Sequence, residues 1–171
     1  IAGDAFDASI MWHKLAKHFS RGTKIFGSSN NQILDTPISF SQTLCQWHMI
    51  PQLRDRKTLQ IIRSLRGVTD EDRKALEALH TLVVENLGYM LFRTIEKAKQ
   101  ELSDSGSASI EFSEKGIVIR EEITRNEFEV MSDDKFQTIS AYVEKTLVQA
   151  GVSPQDIDVV LLTGGSSFIP K

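Results

Sequence analysis

Between Phe6 and Phe19 the apolar residues Phe6, Ile10, Met11, Leu15 and Phe19 recur at steps of one or four positions, a spacing that predicts an amphipathic helix. Asp4 or Asp7 is placed to cap its start, and Gly22 to help end it. No period carries through 22–40, where SSNNQ and Pro37 read as loop or irregular structure long enough to be an insertion. From Phe40 to Leu65 the pattern is helical, broken at Pro51 and stopped by Gly67. Thr69 with Glu71 and Asp72 then opens what reads as one long helix. It carries Leu76, Leu79, Val83, Leu87, Leu91, Ile95 and Leu102 over about thirty residues, with Gly88 its weak point.

After SDSGS the pattern switches to a period of two. Ala108, Ile110 and Phe112 alternate with polar residues, and Ile117 to Ile123 alternates again, which predicts a hairpin with a four-residue loop at 113–116. Thr124 and Glu127 form a capping box for a short helix through Met131. Ser132, followed by Asp133 and Asp134, is expected to start a second helix that Gly151 ends. Ser153, Pro154 and Asp156 mark a further helical start. The apolar run Val159 to Leu162 then reads as a buried central parallel strand.

Composition narrows the function classes. The net charge of −3 includes no basic tail, which argues against nucleic acid as main partner. The basic stretch from Arg54 to Arg66 is interleaved with Leu59, Ile61, Ile62 and Leu65 and reads as a solvated helix face. A single cysteine, Cys45, excludes an internal disulfide and favours a reducing, cytoplasmic setting. No apolar run is long enough for a membrane-spanning helix, and the start IAGDAFDAS is not a secretory signal. The chain begins at Ile1 rather than Met and stops at Lys171, just beyond a Gly-Gly turn, so we expect a piece of a longer protein.

Gly164, Gly165, Ser166 and Ser167 follow the expected strand. Two glycines there allow a sharp turn and a close backbone approach to a ligand, with the next helix N-terminus facing an anion. Alone, the motif equally suits a plain tight turn. Neither GxGxxG nor GxxxxGK[ST] occurs.

Four segments together resemble the ATPase domain of Hsp70-type chaperones, in the actin-like ATPase superfamily. They are AGDAFD at the start, IEKAKQELSDSGSASIEF, ITRNEFE, and the terminal LLTGGSSFIPK. The divergent bacterial chaperones of the YegD kind are the more similar branch. The resemblance implies an α/β (α+β) fragment: part of the second lobe of an actin-like ATPase, with a helical and antiparallel-sheet subdomain. Its parts would be an insertion at 22–66, a long helix plus hairpin at 69–123, and a return to the lower subdomain at 124–171.

The same resemblance implies adenosine contacts at Gly3, at Glu96, Lys99 and Ser103, and at Gly164, Gly165 and Ser166. Spacings of three and four put Glu96, Lys99 and Ser103 on one helix face. A carboxylate and an ammonium there suit a ribose hydroxyl pair, and a hydroxyl suits the adenine edge. Relatives sandwich the base between two arginines; the corresponding residues here are Gln100 and Phe168, an amide plane and a stacking ring. The implied cofactor is ATP or ADP, with Mg held mainly by residues upstream of Ile1, where the family's phosphate loops also lie. The implied function is nucleotide clamping coupled to lobe closure, without catalysis by this chain alone. Unfolded polypeptides or co-chaperones would be partners of the larger protein.

A non-catalytic interaction module with a degenerate pocket is the alternative, favoured by Gln100 and Phe168. The insertion would then be the binding surface, with Trp47, Met49 and Ile50 either a partner patch or core. A sugar kinase of the same superfamily would share the Gly-Gly turn but fits TRNEFE and AKQELS poorly. His13, His18, His48 and His80 show no metal-ligand grouping, and Cys45 near His48 reads as coincidence.

Overall fold

A computed structural model describes residues 3–27, 32–161 and 163. It is a mixed α/β structure with two small antiparallel sheets among helices. The first helix begins as α1, Gly3–Ile10, then widens to a π-helical turn at Met11–Leu15 and tightens to a 3₁₀ turn at Ala16–His18. Phe6, Ile10, Met11, Leu15 and Phe19 are all buried, so the apolar period marks the core face although the helix is irregular. Gly22, in the left-handed region at φ 77°, turns the chain away.

The stretch expected to be irregular holds a hairpin instead. β1, Lys24–Phe26, pairs antiparallel with β2, Ile33–Asp35, and Lys24 Nζ meets Asp35 Oδ1 across the pair at 2.7 Å. Residues 66–68 lie along the other edge of β1, where Phe26 N–H donates to Arg66 and Val68 N–H to Lys24. Three-residue strands with exposed Ile33 and Leu34 are too short to show a period of two, which hid them in the sequence. Helix α2, Ile38–Leu44, the 3₁₀ segment Trp47–Arg54 containing Pro51, and α3, Arg56–Ser64, follow the broken helical pattern.

The expected single long helix is two. α4 spans Asp70–Val84 and α5 spans Gly88–Asp104, separated where Asn86 takes a left-handed φ of 57°. Leu87 and Gly88 are buried at this break, and a Cβ on Gly88 would lie 2.8 Å from Ile50 Cδ1. The glycine admits the 3₁₀ segment against the start of α5. Thr69 and Asp72 close a capping box at α4, as their spacing implied.

β3, Ser107–Glu114, and β4, Ile117–Thr124, form the second hairpin, with Ala108, Ile110, Phe112, Ile117, Ile119 and Ile123 turned into the core. Its loop has two residues rather than four. Lys115 and Gly116 both have positive φ, 50° and 86°, as a tight type I′ hairpin turn requires. The two helices expected next are one, α6, Arg125–Ala150. Ser132 is buried inside it with no hydrogen-bond partner for Oγ and does not cap, and no Gly or Pro interrupts 125–150. The Thr124–Glu127 capping box and the left-handed Gly151 are both present.

Residues Asp158 to Leu161 form no strand. Val159, Val160 and Leu161 are exposed, and no described strand lies beside them to supply the ladder a strand needs; Leu162 lies outside the described residues.

One apolar core joins these elements, from Phe6 and Phe19 through Leu79, Leu91 and Ile95 to Phe128. Around it, Lys14 pairs with Glu127 at 2.6 Å, while Lys17 and His18 both reach Glu121 at 2.8 and 2.7 Å. The Lys14 ammonium and the Thr124 amide hold the Glu127 carboxyl down at about 2.

Gly67 should not tolerate a side chain, because a Cβ there would sit 2.5 Å from the backbone nitrogen of Arg73. Gly67→Ala should lower stability by about 1–3 kcal/mol in urea denaturation, whereas overpacking should not arise in Gly106→Ala, where the space is open. Acid provides a second test. Glu127 has its folded value depressed, so its stabilisation is present above the ordinary 4.5 and is lost as pH falls through about 2. Glu127→Gln should therefore flatten the loss of stability over that window, measured by denaturation midpoints.

Candidate functional site

Helix α5 presents the residues singled out in the sequence. Its core face is Leu91, Phe92, Ile95, Ala98 and Leu102. Glu96, Lys99 and Ser103 are half-buried at the margin of that face, and Gln100 is exposed beside them. Three- and four-residue steps keep the first three on one side of the helix.

Lys99 makes the decisive contact. Its Nζ lies 2.6 Å from Asp7 Oδ1, and both side chains are only 12% exposed. The pair ties α5 to α1, and Gly3 lies one turn before Asp7 on the same face of α1. Burial pushes the Asp7 carboxyl above its usual 3.8, with Lys99 pulling it back only in part and Asp4 and Glu96 adding to the rise. An ammonium has three donors, so Lys99 retains donors for another acceptor. Glu96 carboxylate is 3.7 Å from Arg93, a loose surface pair that leaves it available.

Arg125 fixes the far end of α5. Its Nε donates to the Leu102 carbonyl at 3.1 Å, and Nη2 donates to the carbonyls of Ser103 and Ser105 at 3.3 and 3.1 Å. Those carbonyls belong to the unpaired set that every helix C-terminus leaves, and a cation there also suits the helix dipole. Arg125 therefore positions Ser103. The sequence held it inside ITRNEFE but gave no sign of its target, since the contact spans twenty-two residues. Asp7 was likewise visible only as a cap.

Gly164, Gly165, Ser166 and Phe168 lie outside the described residues. Trp47, Met49 and Ile50 divide: Ile50 is core, Met49 is half-buried, and Trp47 is exposed and edge-on to Tyr89. Cys45 donates its thiol to the Ser41 carbonyl, and burial pushes that thiol up to about 11, so it is no nucleophile at neutral pH. Among the described residues no three His, Cys, Asp or Glu side chains are grouped to hold a metal ion, and no helix is long and apolar enough to cross a membrane.

Helix α5, the β3–β4 hairpin and the capped start of α6 all fall within one family-matched segment. The model of the Hsp70 protein family matches residues 85–171, half of the sequence, and the chain belongs to that family. Among curated proteins it is similar to the ribosome-associated complex subunit SSZ1 of Saccharomyces cerevisiae, with 37% identity over 75 residues. That match takes in 43% of this chain and 14% of the yeast protein, so the chain spans a small part of its relative's length.

The raised Asp7 carboxyl makes a signed prediction. The fold binds this proton more tightly than the unfolded chain, so Asp7 lowers stability as pH rises from 3.8 through its folded value. Asp7→Asn should remove that decline. The difference between wild-type and variant urea midpoints, followed across mildly acidic pH, isolates it from the other carboxylates.

Proposed function

We propose that the chain is the adenosine-clamping part of an Hsp70-type ATPase, working with phosphate loops carried elsewhere in a longer protein. The observation that supports it most is the Glu96–Lys99–Ser103 face, tied to α1 through the Asp7–Lys99 pair and lying within the family-matched segment. The donor set fits a nucleoside. Glu96 can accept from ribose hydroxyls, Lys99 can donate to them, and Ser103 can reach the base edge. Gly164, Gly165 and Ser166 would close on the other side, with Gln100 and Phe168 flanking the base in place of arginines.

ATP or ADP with Mg is the cofactor in this reading, and the nucleotide supplies the phosphoryl group whose state the lobes sense. This chain's own residues would hold the nucleoside and move with it; the metal and the hydrolysis would belong to the other lobe. Helix α5, the hairpin and α6 make up the family part, while 22–66 is an addition, in keeping with a divergent branch of the family such as the YegD-like one. The setting is cytoplasmic, and the partners of the whole protein are unfolded polypeptides or co-chaperones.

The exposed stripe Ile139, Tyr142 and Val143 on α6, with Val159 to Leu161 beyond it, supports a docked neighbour lobe. The alternative, an interaction module with a degenerate pocket, draws on Gln100 and on the engagement of Lys99 by Asp7.

Calorimetric titration of Mg-ADP into the longer protein, with the 171-residue chain alongside, separates the two. Saturable one-to-one binding by the longer protein, weakened about tenfold or more by Glu96→Ala, is the expected result. No binding across the millimolar range would leave the interaction module as the working reading.

A further inference from the structure

One groove of the molecule is not on α5. It lies where the end of β1 meets the close of α3 and the outer face of α4, and encloses about 1080 Å³. Ile62 and Leu76 form its buried floor, and the ring of Phe26 stands exposed at its side. Arg63, Arg66 and Arg73 line it against one carboxylate, Glu77. Arg73 is occupied, paired with Asp70 and donating to the Val68 carbonyl. Arg63 and Arg66 make no ion pair among the described residues.

The Arg63 guanidinium is nonetheless held. Its Nε donates to His80 Nε2 at 3.0 Å, which leaves both terminal nitrogens to face a ligand. Gly67 and the 66–68 edge beside β1 fix Arg66 on the same rim. Two unneutralised guanidinium forks over an apolar floor match carboxylates alternating with apolar side chains, since each fork can take a carboxylate bidentately.

The volume exceeds what a single small anion fills. A nucleic-acid backbone fits poorly, because two unpaired arginines offer two points of attachment rather than the continuous cationic track that a run of phosphates needs. We propose that this groove binds an acidic peptide segment of a partner protein, its carboxylates on Arg63 and Arg66 and an apolar side chain against Phe26. The groove is built mostly from residues before 85, outside the family-matched segment, and it does not depend on nucleotide binding.

The test is fluorescence anisotropy of the full chain, without nucleotide, against a short labelled peptide alternating Glu or Asp with Phe or Leu. The same peptide with its acids changed to Lys, and a single-stranded oligouridylate, serve as rival probes. We expect the acidic peptide to bind saturably and the lysine peptide not to bind. The double variant Arg63→Glu, Arg66→Glu should weaken binding about tenfold or more, and Phe26→Ser should weaken it further. Both arginines are exposed, so circular dichroism and melting should be unchanged; if not, Arg63→Gln, Arg66→Gln replaces that variant and should weaken binding in the same direction. Absence of acidic-peptide binding, equal binding by the arginine variants, or tighter binding of the oligouridylate would overturn the proposal.

Discussion

An ion pair between two helices, Asp7 with Lys99, sets the geometry on which the candidate site depends. α1 is only eight residues long, too short to be a stable helix without tertiary support. The core holds Phe6 and Ile10 in place, yet apolar packing alone specifies rotation loosely. The short, nearly buried contact from Lys99 adds a directional constraint. It fixes the rotation of α5 about its axis, and with it the side to which Glu96 and Ser103 belong. Arg125 acts just beyond it, at the C-terminus of α5, where three carbonyls converge on one guanidinium. Both anchors lie in the C-terminal part of α5, about one turn apart.

Much of this was legible in the sequence, for identifiable reasons. Capping boxes at Thr69 and Thr124 and the left-handed Gly151 follow local rules that neighbours three residues away decide. The β3–β4 alternation showed because eight-residue strands leave room for it, whereas Glu96, Lys99 and Ser103 came from the family resemblance and helix spacing adds only their common side. What escaped is non-local or brief. The break at Asn86 follows from a residue accepting a left-handed backbone where Ile50 presses on Gly88, a contact spanning thirty-eight positions. Ser132 looked like a cap because Ser before two aspartates usually is one, but the preceding turn was already helical and carried it inward. The run Val159 to Leu161 has strand composition without a strand beside it, and composition cannot supply that neighbour.

The two halves of the chain are built differently. Residues after Leu87 fold by long elements with regular periods, and these coincide with the family-matched segment. Residues 22–66 fold by short elements stitched through backbone bonds, such as the 66–68 edge on β1 and the Asp72 carboxylate accepting from the Lys24 amide. Stitching of this kind leaves grooves and unpaired side chains at its seams, whereas regular packing closes them. The charged groove beside β1 is such a seam.

The long α6 helix carries a gradient along its length. Phe128 is locked between Phe6 and the core, but from Gln137 to Ala150 every residue except half-buried Leu147 faces water. Among the described residues nothing packs over the backbone bonds there, so until a neighbour docks they are held by helix propensity. One continuous helix therefore contains two cooperative units. Its base opens only when the domain unfolds, while its outer turns unwind and reform on the far faster timescale of an isolated peptide helix.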